Sequence, residues 1–398
     1  MKRRTFLKAS GLATASLMVP EFLKARENNI SQTNNSKILI VIQLSGGNDG
    51  LNTVIPYEND LYYRARPQIA IKKNEVLKIN NELGFHPSLS GFSKLINDGN
   101  LCLINNVGYP EPDRSHFRSM DIWHTASNSN EYKTTGWLGR YLDELCKNGE
   151  NPTKVVELDD TLSLALKGSQ TNGLAFKDPK KLLASTSNAF INQINKQHTL
   201  LEHQHDNASY LYKTLASTIS SSEYIYQTSK IFKSNATYPN HEFGKSMKTI
   251  AELIISGVNT SVYYVSLGSF DTHFNQNKRQ AELLSKLSDT ISVFMSDMKK
   301  NGRLDDVLLM TFSEFGRRVQ ENGSMGTDHG TANQVFLIGN QLKHKGIVND
   351  APDLSDLDDG DLKFQVDFKN IYATILKKWL MSPSDIILGR NAALMDFI

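Results

Sequence analysis

Five apolar runs recur along the chain, and each adjoins a polar loop. Lys37 to Leu44 reads KILIVIQL and runs into Ser45 to Gly50, SGGNDG. Leu101 to Val107 leads into GYPEPDRSHFRSMDIWHTA, Ser261 to Leu267 (SVYYVSL) into Gly268 to His273, and Asp306 to Phe312 (DVLLMTF) into Ser313 to Arg317. The fifth, QVFLI from Gln334 to Ile338, follows the loop GTDHG at 326–330. The first is a continuous β-branched and aliphatic run, the pattern of a strand covered on both faces. From Lys278 to Lys300, Leu283, Leu284, Leu287, Ile291, Phe294 and Met298 fall at helical spacing, which predicts a crossover helix. DFKNIYATILKKWL, from Asp367 to Leu380, predicts a last helix with an acidic N-cap and with Ile371, Ile375 and Trp379 in the core. Strand and helix alternate, so the expected class is α/β: a doubly wound, mostly parallel sheet with helices on both faces.

The patterning also sets the boundaries. Residues 26–36, RENNISQTNNS, are polar and unpatterned, which starts the folded domain at Lys37 and carries it as a single unit to residue 398. Residues 150–250 are rich in Ser, Asn, Gln and Lys and read as a helical insertion over one sheet edge. No Pro- or Gly-rich linker brackets them as a separate domain. HTLLEHQH at 198–205 places His198, His203 and His205 there, on what reads as a solvated helix face.

Composition narrows the partners. Forty-four basic and 42 acidic residues leave a formal charge of +2, evenly scattered, which excludes a nucleic-acid footprint. Small-molecule or carbohydrate partners fit better. At the N-terminus, Lys2-Arg3-Arg4-Thr5-Phe6-Leu7-Lys8 precedes a moderately apolar stretch from Ala9 to Pro20, the form of a twin-arginine export signal. The expectation is export to the periplasm or cell envelope, with the twin-arginine translocase as partner. Cleavage near Ala25 and retention as an anchor are both open. Cys102 and Cys146 are the only cysteines, allowing at most one intramolecular disulfide, and Cys102 sits in an apolar run as a buried, inert thiol.

Candidate chemistry gathers at the predicted strand ends, where ligands of open α/β sheets bind. Asp49, Asp271, His273, Glu314, Asp328 and His329 offer carboxylate and imidazole donors to divalent metal ions, with zinc, manganese, magnesium and calcium all admissible. Ser115 stands where a loop turns into a helix, and Arg114, His116 and Arg317 are candidates for holding an anionic substrate. Taken singly, GGNDG is also an ordinary turn, SEFG a helix start and Ser115 an N-cap. His86 and His124 read as structural.

The motifs SGGNDGLNTVIPY, RSHF, GSFDTHFNQ, SEFGR and GTDHG, in this order, resemble the domain-of-unknown-function family 1501, related to the alkaline phosphatase and sulfatase superfamily. The likeness spans nearly the whole chain after the signal and implies an alkaline phosphatase-like fold. It implies Asp49 as a first metal-binding Asp, Ser115 as nucleophile, Asp271 and His273 as a further pair of ligands, and Glu314 and Phe315 where the superfamily has Asp and His. His329 then matches a final His, with Asp328 as an extra donor or its orienting partner. A rival alignment makes Asp328 and His329 the superfamily pair and leaves the last position to His344. Phe315 in place of a His weakens a second metal site. The resemblance implies a metal-dependent hydrolase of phosphate or sulfate esters, an unmodified Ser favouring phosphoryl transfer. The alternative is a non-catalytic exported protein that keeps the fold and binds a metal or ligand.

Overall fold

The computed structural model describes residues 37–146, 152–187 and 207–398, with side chains of 207–214 left aside. The segment expected to be an export signal and the histidines of HTLLEHQH lie outside the described residues. Lys37–Ile398 forms one compact unit.

Its centre is a nine-stranded sheet. In chain order the strands are β1 (Ile38–Leu44), β2 (Leu101–Gly108), β3 (Val155–Glu157), β4 (Leu174–Ala175), β5 (Val262–Leu267), β6 (Val307–Phe312), β7 (Asn333–Ile338), β8 (Gly346–Ile347) and β9 (Val366–Asp367). Across the sheet they run β8-β2-β7-β6-β1-β5-β3-β4, with β9 also pairing β2. All pairings are parallel except those of β7, which lies antiparallel between β2 and β6. Each of the five apolar runs is a strand of this sheet, and the class is the expected mostly parallel α/β.

Covering on both faces explains why these runs do not alternate with polar residues. Ile38, Ile40, Ile42 and Leu44 of β1 enter one core cluster, while Leu39 and Val41 enter the other. The first face is covered by Ser90–Asn97 and by two longer helices, Glu242–Ile255 and Gln276–Lys300, which contributes Leu283, Leu284, Leu287, Ile291, Phe294 and Met298. The second is covered by α1 (His116–Thr125), by Trp137–Leu145 and by α2 (Phe368–Thr374) with its π-helical continuation Ile375–Trp379. Asp367 caps α2 by accepting from the Lys369 amide, 2.9 Å, and Ile371, Ile375 and Trp379 are buried.

The 150–250 stretch differs from a purely helical insertion. It supplies β3 and β4, which extend the sheet beyond β5, and its helix Glu242–Ile255 packs Met247, Ile250 and Ile254 into the main core. Val155 and Val156 pair with β5. Cys102 is buried in β2, where burial pushes its thiol up to about 12. No described helix is long and apolar enough to cross a membrane.

Candidate metal centre

Because β2, β6, β1 and β5 share one direction, the loops that follow them leave the same sheet edge. Reversed β7 begins at that edge, so the loop before it arrives there too. Close backbone approach in the first loop requires glycine. A Cβ on Gly46, whose φ is +116°, would lie 2.5 Å from the Asp271 amide nitrogen, and one on Gly47, at +73°, would lie 2.3 Å from the Phe315 ring.

Four side chains converge there on one carboxylate oxygen. Asp271 Oδ1 lies 2.7 Å from an Arg317 terminal nitrogen, 2.9 Å from His273 Nε2, 3.4 Å from His329 Nε2 and 3.6 Å from His116 Nε2. Each ring is fixed from its other nitrogen. His116 Nδ1 lies 2.9 Å from Glu314 Oε1, His273 Nδ1 3.1 Å from Asp328 Oδ1, and His329 Nδ1 2.8 Å from the Arg114 carbonyl oxygen. Carbonyls and ionised carboxylates only accept, so each Nδ1 donates, and a ring in its neutral form turns its Nε2 lone pair toward Asp271.

That donor set fits a divalent cation. His273 Nε2 and His329 Nε2 stand 3.0 Å apart, and two lone pairs at that distance beside a carboxylate call for positive charge between them. Donor atoms of His116, Asp271 and His329 also all lie within 4.8 Å of one another. Imidazoles tied back to carboxylates or carbonyls are the usual support of metal-ligating histidines. The electrostatics of each group follow from its contacts. Burial raises the Asp271 carboxyl, but the Arg317 hydrogen bond and charge outweigh it and hold it at about 2. Burial lowers His329 against the opposing pull of the Arg114 carbonyl, whereas the Glu314 hydrogen bond raises His116.

Other candidates stand elsewhere than the sequence suggests. Asp49 is turned away from the cluster: its carboxylate is buried and gripped by Arg66, with nitrogen to oxygen distances of 2.6 and 3.0 Å, and Gln276 donates to it as well. Both of its oxygens are taken by one guanidinium away from the histidines, so it is not placed to ligate an ion among them. Glu314 is also buried and accepts from the Gly46 amide, 2.8 Å, so it stands behind His116 and orients its ring. Asp328 serves His273 and Asn322.

The two arginines expected to hold an anion are occupied. Arg317 is buried and donates to Gly46, Gly47, Phe270 and Thr327 carbonyls besides Asp271, clamping the loops together. Arg114 is paired with Asp361 at 2.5 Å and with Asp359. His344 is remote from the cluster and bonds the Ile347 carbonyl, while His86 and His124 are buried, both pushed down to about 4, chiefly by burial.

Ser115 is exposed at the N-cap of α1 and makes no capping bond with its side chain, which leaves its oxygen and the first-turn amides open to a ligand. It stands between Arg114, whose carbonyl fixes His329, and His116. Phe315 is buried against the cluster, its ring centroid 4.6 Å from His329 and 4.8 Å from His116. Sequence reasoning gave His116 to the substrate and missed Arg66. The adjacency of a His to the helix-start Ser in RSHF was the available signal for His116. Nothing local marks Arg66, whose role is set by packing.

Fold and site together define a mostly parallel α/β protein with a candidate cation centre of three histidines and one aspartate at the strand ends. Residues 36–396 match the family described as "Protein of unknown function (DUF1501)", and the chain belongs to that family. No curated protein sequence matches it. Among solved structures it is similar to a protein in the alkaline phosphatase superfamily from Vibrio parahaemolyticus, at 9% identity and a TM-score of 0.40 over 89% of this chain and 69% of that one. A sulfatase from Pseudoalteromonas sp. is similar at 10% identity and 0.40 over 93% and 72%. A phosphonate monoester hydrolase from Silicibacter pomeroyi is similar at 10% and 0.40 over 89% and 77%.

Proposed function

We propose that the protein is an exported, metal-dependent hydrolase of phosphate or sulfate esters, with Ser115 as nucleophile. The observation that carries this reading is the convergence of His116, His273 and His329 on Asp271 beside a helix-start serine that does not cap its own helix. A divalent ion held by these four residues would supply positive charge to the ester oxygens and lower the barrier to displacement.

The chain's own groups contribute the rest. Ser115 Oγ gives up its proton and bonds to the phosphorus or sulfur, the ester bond breaks with its electron pair going to the alcohol oxygen, which takes up a proton, and water then cleaves the seryl ester, releasing the acid and restoring the serine hydroxyl. Open amides of the first turn of α1, at the positive end of the helix dipole, favour the anionic group next to Ser115. Glu314, Asp328 and the Arg114 carbonyl keep the three rings aimed, and Arg317 keeps Asp271 ionised and fixed. The substrate is a small-molecule or carbohydrate ester, met in the periplasm or cell envelope after passage through the twin-arginine translocase.

The test is to purify the protein, measure its metal content and screen aryl phosphates, phosphodiesters and sulfates. Ser115→Ala is expected to keep the metal and lose turnover. A metal-loaded sample that gives only background rates on every ester would sink the proposal. A second reading, a non-catalytic exported metal- or ligand-binding protein, is favoured by the diversion of Asp49 to Arg66. It predicts that Ser115→Ala leaves metal and ligand binding intact with no turnover to lose. For the export step, replacing Arg3 and Arg4 by Lys should hold the protein in the cytoplasm.

A further inference from the structure

A cleft of about 270 Å³ adjoins the centre, walled by Tyr109, Pro112, Phe315, Thr331, Leu362 and Phe364. It is built from the same loops as the cluster. Phe315 packs against His116 and His329, Thr331 lies two residues beyond His329, and Pro112 lies two residues before Arg114. Its floor offers rings and aliphatic carbon, because the polar atoms there are already used. The Tyr109 hydroxyl bonds Ser119 Oγ at 2.7 Å, and Thr331 donates to the Leu362 carbonyl. Phe364 is the wall left partly open, at 37% exposure. Charge is confined to exposed Glu111, Asp358 and Lys363, and Lys363 is paired with Asp356.

We propose that this cleft binds the uncharged cyclic alcohol half of the ester, a sugar or aryl ring, while the anionic half lies at the histidine cluster. This rests on the hydrolase reading above. The cleft cannot be the anion site, since the one ammonium on its wall is neutralised and its floor would desolvate a charge without pairing it. A flat ring instead covers the open Phe364 face above a floor to which buried Phe315 contributes, and displaces water from apolar walls, with polar substituents reaching the charged mouth. Phe364 and Gly108 are thus specificity-determining positions. A Cβ at Gly108 would come 2.8 Å from Phe364 Cβ, so a larger side chain there competes with the ring for space.

The experiment uses full-length Ser115→Ala protein loaded with zinc, titrated calorimetrically with naphthyl phosphate, a hexose phosphate and methyl phosphate. At least one ring ester should bind about tenfold or more tightly than methyl phosphate, from the apolar area it buries. Phe364→Ala should erase that margin and leave methyl phosphate affinity unchanged. Gly108→Leu should do the same by crowding Phe364, and methyl phosphate affinity retained in each variant guards against misfolding. Which of the two ring esters carries the margin identifies the ring as aryl or sugar. Equal affinities for all three esters, or a margin that survives both substitutions, overturn the inference. If the Ser115-containing protein turns over nothing while the margin is present and Phe364-dependent, the hydrolase reading fails and the ring subsite stands.

Discussion

Arg66 grips Asp49 through two parallel contacts, 2.6 and 3.0 Å long, and both side chains are closed to solvent. Every donor group of Arg66 is engaged: the remaining hydrogens go to Asn52 and to the Arg318 and Val319 carbonyls. The pair therefore ties the first strand-end loop to the segment behind Arg317. Arg66→Met is expected to cost about 3–5 kcal/mol, because it strands a buried carboxylate. Adding Asp49→Leu should recover much of that loss. Urea denaturation of the two variants checks it, and a double variant as unstable as the single one would show that the arginine matters for its packing instead.

His329→Ala should abolish tight binding of the divalent ion. A ligand present at about 100 times its dissociation constant stabilises the native state by about 2.7 kcal/mol. The rise in Tm on adding zinc should therefore vanish in this variant, with the metal-free Tm little changed. His344→Ala should behave as the unaltered protein. A zinc-dependent rise that persists without His329 would place the ion elsewhere.

Orienting carboxylates should matter in a graded way. Glu314→Gln weakens the hold on His116 and is expected to lower metal affinity about 10- to 100-fold. Asp328→Asn acts on His273 in the same direction but less, since Asp328 is exposed and Asn322 shares its oxygen. Competition with a chromogenic chelator gives both constants, and the reverse ranking would contradict the assignment of Glu314.

Glu157 provides a pH dependence independent of the cluster. Burial, partly offset by the Ser163 amide, raises its carboxyl to about 7. The unfolded value is about 4.3, so the native state holds the extra proton between the two. Stability attributable to this group is full below about pH 4 and declines as pH rises through about 7, by about 3 kcal/mol. Glu157→Gln should flatten that decline, measured as denaturation midpoints at pH 5 and pH 8. Parallel slopes for the two proteins would refute it.

Strand-forming runs were legible because covering on both faces leaves a one-dimensional mark: nearly every residue of KILIVIQL is apolar. Loop chemistry was legible in part. Asp271, His273 and His329 come together as their motifs imply, since strand direction alone delivers their loops to one edge. The fate of Asp49 was not legible, because a carboxylate reads the same whether a metal or an arginine will satisfy it, and the arginine comes from an unpatterned stretch. The pairing of Glu314 with His116 was not legible for a related reason. Adjacency in the chain does not tell which of two neighbouring polar groups faces the cluster and which stands behind it. The edge strands Val155–Glu157 and Leu174–Ala175 were too short to stand out against the polar composition around them.

The donors to the proposed ion arrive after β2, after β5 and before β7, and β2 and β5 are separated in the sheet by β7, β6 and β1. No hairpin or local pair of elements contains the set. Contacts so distant in sequence form late, once the loops between them have been closed. Capture of the proposed ion therefore belongs to the end of folding: a nascent chain that has not yet emerged as far as His329 cannot assemble the set.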